Sequence, residues 1–212
     1  MNIKNYIESK EFLDLKQTCI NVYLEYKEKS KIGEFKKVFE SLFFEIILTD
    51  KFLYELVPFN IELSKQKKGK ILKKMPNNRR YVENFFLDNE LYAQRWEIQG
   101  NKELFGSYIN LSITKENFKE IYFIQIDKED NFNDLISYTR IFEVNDEIFY
   151  LTISGLKETN WYLRIDSLKN KKIDRISRFD PAFNLETTFN IEYLNDNPVS
   201  IMYNDSIYFS IT

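Results

Sequence analysis

Between Lys65 and Arg80 the chain carries eight basic residues and no acid: Lys65, Lys67, Lys68, Lys70, Lys73, Lys74, Arg79 and Arg80. A run of this kind can neutralise several phosphates or carboxylates at once and steer an anionic partner from a distance. With these eight set aside, the remaining 22 of the 30 Lys and Arg face all 33 Asp and Glu, so the rest of the chain stands at −11 although the whole stands at −3. Lys67, Lys68, Lys73, Lys74, Arg79 and Arg80 are therefore the residues expected to grip a polyanion. The same run also fits a solvated connecting loop in a chain biased toward Lys, Asn, Ile, Phe and Tyr. Aromatic residues suited to stacking on bases follow at Tyr81, Phe85, Phe86, Tyr92 and Trp96. At 17% aromatic content any window of that length holds several, and sheet packing accounts for them.

Carboxylates offer less. Asp127, Glu129 and Asp130 crowd one short stretch, but without the central glycine and terminal glutamate of a calcium loop they read as a polar turn. Asp166, Asp174 and Asp180 fall near expected strand ends, where a carboxylate pair could act as acid and base, yet no shared strand face joins them in the sequence. Glu-x-Lys pairs of the kind used by metal-dependent nucleases occur at Glu8, Glu25 and Glu34, all in stretches with helical periodicity. None of Pro58, Pro76, Pro181 and Pro198 precedes an Asp.

Several chemistries are excluded by composition. The 212 residues contain no histidine, which removes Ser-His and Cys-His nucleophile pairs, two-histidine zinc helices and imidazole proton shuttles. The single cysteine, Cys19, permits no intramolecular disulfide and reads as a small core residue on a helix. Five glycines are too few and too scattered for a dinucleotide fingerprint or a P-loop. No Gly-x-Ser-x-Gly elbow occurs. Charges interrupt the first eight residues before an apolar signal segment could build, and no long apolar run is present, so the expectation is a cytoplasmic chain that does not engage a membrane.

The elements that must position these residues follow from hydrophobic period. Ile3, Tyr6, Ile7, Phe12, Leu15, Cys19, Val22, Tyr23 and Tyr26 recur at helical intervals, as one long or one broken helix. Gly33 punctuates, and Phe35, Val38, Phe39, Leu42, Phe43, Ile46 and Ile47 repeat the pattern, predicting a second, largely buried helix. Phe52, Leu53 and Leu56 predict a short helix ending before Pro58. The period then changes to two at Ile109, Leu111 and Ile113; at Tyr138, Arg140, Phe142 and Val144; at Trp161, Leu163 and Ile165; at Phe189, Ile191 and Tyr193; and at Ile207, Phe209 and Ile211. Asp88-Asn89, Asn145-Asp146, Asn195-Asp196 and Asn204-Asp205 mark tight turns between neighbouring antiparallel strands.

The expected fold is thus α+β: N-terminal helices packed on a large, mostly antiparallel, twisted sheet or incomplete barrel. It is read as one domain over 1–212, helical to 60, a basic connection over 61–80, and β-rich over 81–212. The expected core is Phe39, Phe43, Ile46, Ile109, Leu111, Phe142, Leu163, Ile191 and Phe209, with Phe43→Ala costing about 3–5 kcal/mol.

Once imidazole, thiol, glycine-loop and metal motifs are set aside, no catalytic residue, metal ligand or cofactor site stands out. The functional expectation is a non-catalytic, cytoplasmic bacterial binding protein of immunity or inhibitor type, whose acidic surface occludes a basic protein partner. Nucleic acid bound through Lys65 to Arg80 is the alternative. A carrier of small apolar ligands, with a cavity lined by Phe142, Trp161 and Phe189, is a further one.

Overall fold

A computed structural model describes residues 3–76, 80–97 and 106–211. N-terminal helices pack on a 12-stranded antiparallel open sheet in an α+β fold, and the strands follow chain order from one edge to the other. The helices are α1 (Ile3–Ile7), α2 (Lys10–Lys27), α3 (Lys29–Ser41) and the single turn α4 (Asn60–Leu63). The strands are β1 (Glu45–Thr49), β2 (Val82–Leu87), β3 (Glu90–Glu97), β4 (Ser107–Thr114), β5 (Lys119–Ile126), β6 (Phe132–Val144), β7 (Glu147–Ile153), β8 (Trp161–Lys169), β9 (Lys172–Asp180), β10 (Leu185–Leu194), β11 (Asn197–Tyr203) and β12 (Ser206–Ser210).

Local chemistry explains the punctuation. Ser9 breaks the first helical stretch: its hydroxyl donates to the Tyr6 carbonyl at 2.6 Å and accepts the Phe12 N–H at 3.2 Å, which caps α2 at its N3 amide. The next break falls at Glu28, which is extended (φ −70°, ψ 129°), and Gly33 lies inside α3 rather than ending it. Among the described residues, four hairpins turn on two residues that both hold positive φ: Asp88-Asn89, Asn170-Lys171, Asn195-Asp196 and Asn204-Asp205. That is the type I′ requirement, whose twist matches the flanking strands. Asn145 also holds positive φ.

Two compact units make up the chain. The first comprises residues 1–22, 115–119 and 139–212. In it the rings of Tyr6 and Phe12 from α1 and α2 meet Phe149 and Trp161, at 5.2 Å between centroids in each case. Phe142 stacks on Phe149 and Trp161 on Phe179, so one sheet face of β6 to β9 is sealed by aromatics. The second unit comprises residues 23–114 and 120–138. Its helices place Tyr26 and Phe35 on Tyr122, and Phe39 on Phe85, while Phe44, just ahead of β1, completes the last cluster.

Two expectations are corrected in the second unit. The helix expected to run through Ile47 stops at Ser41, and β1 takes over at Glu45. Leu42 is already extended, and Ile46, Ile47 and Thr49 are β-branched residues that favour strand. In extended backbone, successive side chains point to opposite faces. Phe44 therefore takes the ring cluster with Phe39, Phe85 and Tyr92, and Phe43 is turned into solvent, 96% exposed. Ile46 is likewise 52% exposed. Of the expected core, Ile109, Leu111, Leu163 and Ile191 are buried, while Phe39, Phe142 and Phe209 are half-buried. The helix expected over Phe52 to Leu56 is absent; the chain there is irregular, and the only turn of helix nearby among the described residues is α4.

Candidate functional site

The basic segment is held by backbone rather than left loose. Thr49 and Ile71 form an antiparallel bridge, the Leu72 N–H donates to the Leu48 carbonyl at 2.8 Å, and the Asp50 N–H donates to the Lys70 carbonyl at 3.1 Å. Asp50 Oδ1 in turn accepts the Lys70 N–H at 2.7 Å. The segment thus lies along the edge of β1 not paired with β2, satisfying groups that an open edge would leave bare. Close approach depends on Gly69, whose N–H donates to the Phe52 carbonyl and where a Cβ would sit 2.5 Å from the Lys51 carbonyl oxygen.

The six predicted polyanion-binding residues divide under this geometry. Lys68 is drawn away from solvent anions: its ammonium lies 3.2 Å from Glu62 and 3.6 Å from Glu55. Glu55 also accepts the N–H groups of Ile61 at 2.7 Å and Phe59 at 3.2 Å, binding α4 to the chain before it. Burial pushes the Glu55 carboxyl up, against the pull of the Ile61 N–H and Lys68. Lys67, Lys73, Lys74 and Arg80 are exposed and have no ion pair among the described residues. Arg79 lies outside the described residues.

Beneath the segment, a polar ladder straps residues 47–54 to the sheet. Asn84 Nδ2 donates to the Ile47 carbonyl and Thr49 Oγ1, Gln94 Nε2 donates to Asn84 Oδ1 at 2.8 Å, and the same amide reaches the Tyr54 carbonyl at 3.0 Å. The aromatics that follow in sequence belong to packing: Trp96 meets Phe52, Tyr108 and Phe123, and Phe86 meets Tyr54. A shallow depression enclosing only about 10 Å³, room for one water, is lined by Tyr81, Glu83, Arg95, Trp96, Glu97 and Ser107, with Glu83 and Arg95 ion-paired in it.

The carboxylates considered from sequence are occupied locally. Asp127 accepts the N–H groups of Glu129 at 2.8 Å and Asn131 at 2.9 Å, the polar turn expected. Slight burial opposes its ionisation, but the N–H donors of Asn131 and Glu129 outweigh it and hold the carboxyl below its usual value. Asp180 accepts the Ala182 N–H at 2.9 Å, Asp174 is exposed, and Asp166 is fully buried, so the three do not form a pair.

Two buried polar clusters escape the alternation argument. In the first unit, Arg164 and Asp166, 2% and 0% exposed, form a bidentate pair through Nε at 2.6 Å and Nη2 at 2.7 Å, with the Tyr150 ring 5.0 Å from the guanidinium. Burial pushes the Asp166 carboxyl up, and the Arg164 bonds oppose this. In the second unit, Glu120 accepts hydroxyl protons from Tyr138 at 2.6 Å and Tyr122 at 3.0 Å beneath Tyr26 and Phe35. Burial first, and the Glu120 charge next, push the Tyr122 hydroxyl well above its ordinary value, so Tyr122 is a donor at every physiological pH. The sequence does carry a trace of both clusters, as Arg-x-Asp and Glu-x-Tyr at i, i+2 inside apolar strands, a spacing that puts both side chains on one face.

Phe142, Trp161 and Phe189 do not share a face. Trp161 lies with Leu163 and Phe179 toward α2, whereas Phe189 pairs with Ile176 and so lies with Asp166 on the other side. Comparison with protein-family models, with curated proteins and with solved structures finds no match.

Proposed function

We propose that the chain is a protein-binding module of immunity or inhibitor type, acting by occluding a basic protein partner through a surface of the second unit that includes Phe43. The observation that carries this reading is Phe43 itself: an entire phenyl group, 96% exposed, at the corner between α3 and β1. An exposed aromatic side chain with further exposed apolar residues near it in the chain can serve as an anchor when a partner supplies the missing pocket. Val38 on α3 and Ile46 on β1, 51% and 52% exposed, extend the apolar character of that stretch of chain. Outside the basic segment the balance of −11 favours a basic partner and a fast, salt-sensitive encounter. The buried carboxylates Asp166 and Glu120 and the half-buried Glu55 already hold structural partners, which suits a scaffold more than a reaction centre.

The test is capture from the native host with the wild-type chain and with Phe43→Asp in parallel, both checked for fold by circular dichroism. The reading expects one basic protein retained at a one-to-one ratio by wild type and lost, by at least tenfold in affinity, from the variant. Equal retention by both chains, or recovery of nucleic acid alone, overturns it.

A second reading, nucleic-acid binding, is favoured by the way Gly69 to Leu72 fix the basic segment on β1 while Lys67, Lys73, Lys74 and Arg80 stay exposed. It requires sub-micromolar affinity at ~150 mM salt, where the Debye length is ~8 Å. In an anisotropy titration, Lys73→Glu with Lys74→Glu would then weaken binding and flatten its dependence on log salt, by about 0.9 of a unit for each duplex phosphate that is no longer neutralised. No measurable affinity at that salt removes this reading.

A further inference from the structure

On the face of β8 and β9 that carries Asp166, Arg164 and Arg178 stand directly opposite one another across the strands. Like charges in that position repel, and a fold built only for stability would give each guanidinium its own carboxylate. Only Arg164 has one, in Asp166. Arg178 makes no hydrogen bond and no ion pair among the described residues, and its Nε is buried with no acceptor. The guanidinium lies over the Phe189 ring, its carbon 5.5 Å from the centroid, and Tyr208 meets that ring edge-on at 4.9 Å. Tyr162, at i−2 from Arg164 and so on the same face, has a hydroxyl with no hydrogen bond among the described residues. Asp180, the next carboxylate along β9, is turned onto the Ala182 N–H.

A guanidinium placed over an aromatic ring, with its donors unmatched and a phenol without a hydrogen-bond partner on the same face, is an arrangement suited to an oxyanion that accepts two parallel N–H bonds. We propose that Arg178 and Tyr162 form a binding site for a carboxylate or phosphate group, the oxyanion supplying the negative charge that Arg164 finds in Asp166. Arg178 is half-buried, so a ligand can reach its outer nitrogens, while its Nε and its neighbours Phe189 and Arg164 are buried. Burial lowers the Arg178 pKa from its ordinary value and the Arg164 charge reinforces the shift, against the Tyr162 and Tyr208 hydroxyls and the Asp166 charge; a bound anion would favour the charged guanidinium further. This site lies in the first unit and stands independently of the Phe43 surface.

The experiment is thermal unfolding of the full chain at constant ionic strength, with sodium chloride replaced stepwise by inorganic phosphate or by acetate. At ten times its Kd a ligand of the folded state shifts the unfolding equilibrium about 11-fold, which raises Tm by roughly 3–5 °C for a chain of this size. The site predicts a saturable rise with at least one of the two anions; phosphate alone or acetate alone identifies which group the site takes. Arg178→Met should abolish the rise and, without added anion, melt no lower than wild type, because it removes an unmatched charge. Arg178→Lys, which keeps the charge but not the fork, should keep only part of the rise. An equal rise in Arg178→Met, as a general salt effect would give, or no rise with either anion in wild type, overturns the proposal. Should Arg178→Met not fold, Tyr162→Phe decides: a weakened Kd supports the site, and an unchanged one refutes it.

Discussion

Replacing Asp166 by Asn deletes one charge from the Arg164 pair while keeping the side chain's shape, and the structure sets the scale of the damage. Both partners are shut off from solvent, and both oxygens of Asp166 accept from the same guanidinium. Asp166→Asn leaves a buried guanidinium facing a neutral amide that can offer one acceptor oxygen in place of two. Breaking a buried ion pair from one side costs about 3–5 kcal/mol, because the surviving charge has lost its compensation and cannot regain water. For a chain of this length that is roughly 6–20 °C in Tm. Replacing both partners by Arg164→Met with Asp166→Leu should cost far less, within ~1 kcal/mol of wild type or even stabilising, since the largest influence on the Asp166 carboxyl is the cost of burying it. Such a difference between single and double substitutions measures the coupling directly.

Trp161 makes the assay specific. It lies in the same unit as the pair, against Phe12 and Phe179, whereas Trp96 belongs to the other unit. In a Trp96→Phe background, urea unfolding followed by the fluorescence of Trp161 reports the transition of the first unit. A loss below ~1 kcal/mol for Asp166→Asn, or a double substitution as damaging as the single one, would refute the account of Arg164 and Asp166 as a mutually dependent buried pair.

Three further outcomes are expected. Phe12→Ala, at a fully buried ring between Tyr6 and Trp161, should cost about 3–5 kcal/mol, while Phe43→Ala stays within ~0.5 kcal/mol of wild type; denaturant unfolding of the two side by side checks this. Gly69→Ala should destabilise by roughly 1–3 kcal/mol, as overpacking does, because its Cβ would meet backbone atoms of Lys51 that cannot swing aside; amide exchange of Leu72 and Asp50 should speed up with it. Burial raises the Glu55 carboxyl above its unfolded value, so its contribution to stability is full below the unfolded pKa of about 4.3 and is lost as pH rises through the folded value. Relative to Glu55→Gln, the wild-type chain should therefore gain stability between pH 7 and pH 4, and urea titrations showing the opposite trend would remove the assignment.

The parts of this fold that sequence makes legible are those governed by one local rule. Asx pairs at Asp88-Asn89, Asn195-Asp196 and Asn204-Asp205 announce hairpins because few other side chains tolerate two successive positive φ values. Ile109, Leu111, Leu163 and Ile191 are buried as alternation requires. The residues around Phe43 are illegible for the converse reason. Phe39, Phe43, Ile46 and Ile47 satisfy the helical spacing i, i+4, i+7, i+8, and the same stretch satisfies a strand once Phe43 is allowed into water; the choice belongs to β2, whose ladder with β1 runs from Glu45 opposite Phe86 to Thr49 opposite Val82. Lys68 is similar: nothing local tells it from Lys67, and only the folding of α4 back on Glu55 brings two carboxylates to it.

The polar clusters show where alternation fails as a rule and what replaces it. Alternation assigns Arg164 and Asp166 to a wet face because it takes polarity as a sign of solvent. In this unit both faces of β8 and β9 are covered: Leu163, Ile165 and Phe179 are buried on one side, and Ile176 and Asp166 on the other. A polar side chain on such a strand must find its partner within the sheet, and the nearest place is two residues along the same face, about 6.5–7 Å away. Arg is long enough to span that distance and return both donors to one Asp, as Arg164 does; Glu120 and Tyr122 use the same spacing, with Tyr138 arriving from β6. The informative unit in Leu163-Arg164-Ile165-Asp166 is therefore the complementary pair at i, i+2 flanked by aliphatic residues, which marks a strand buried on both faces. Arg178 has Ile176 and Asp180 at those positions, and the carboxylate is held by its own turn. Arg178 is thus left without the acceptor on its own strand face that Arg164 finds in Asp166, and the proposed oxyanion would supply it.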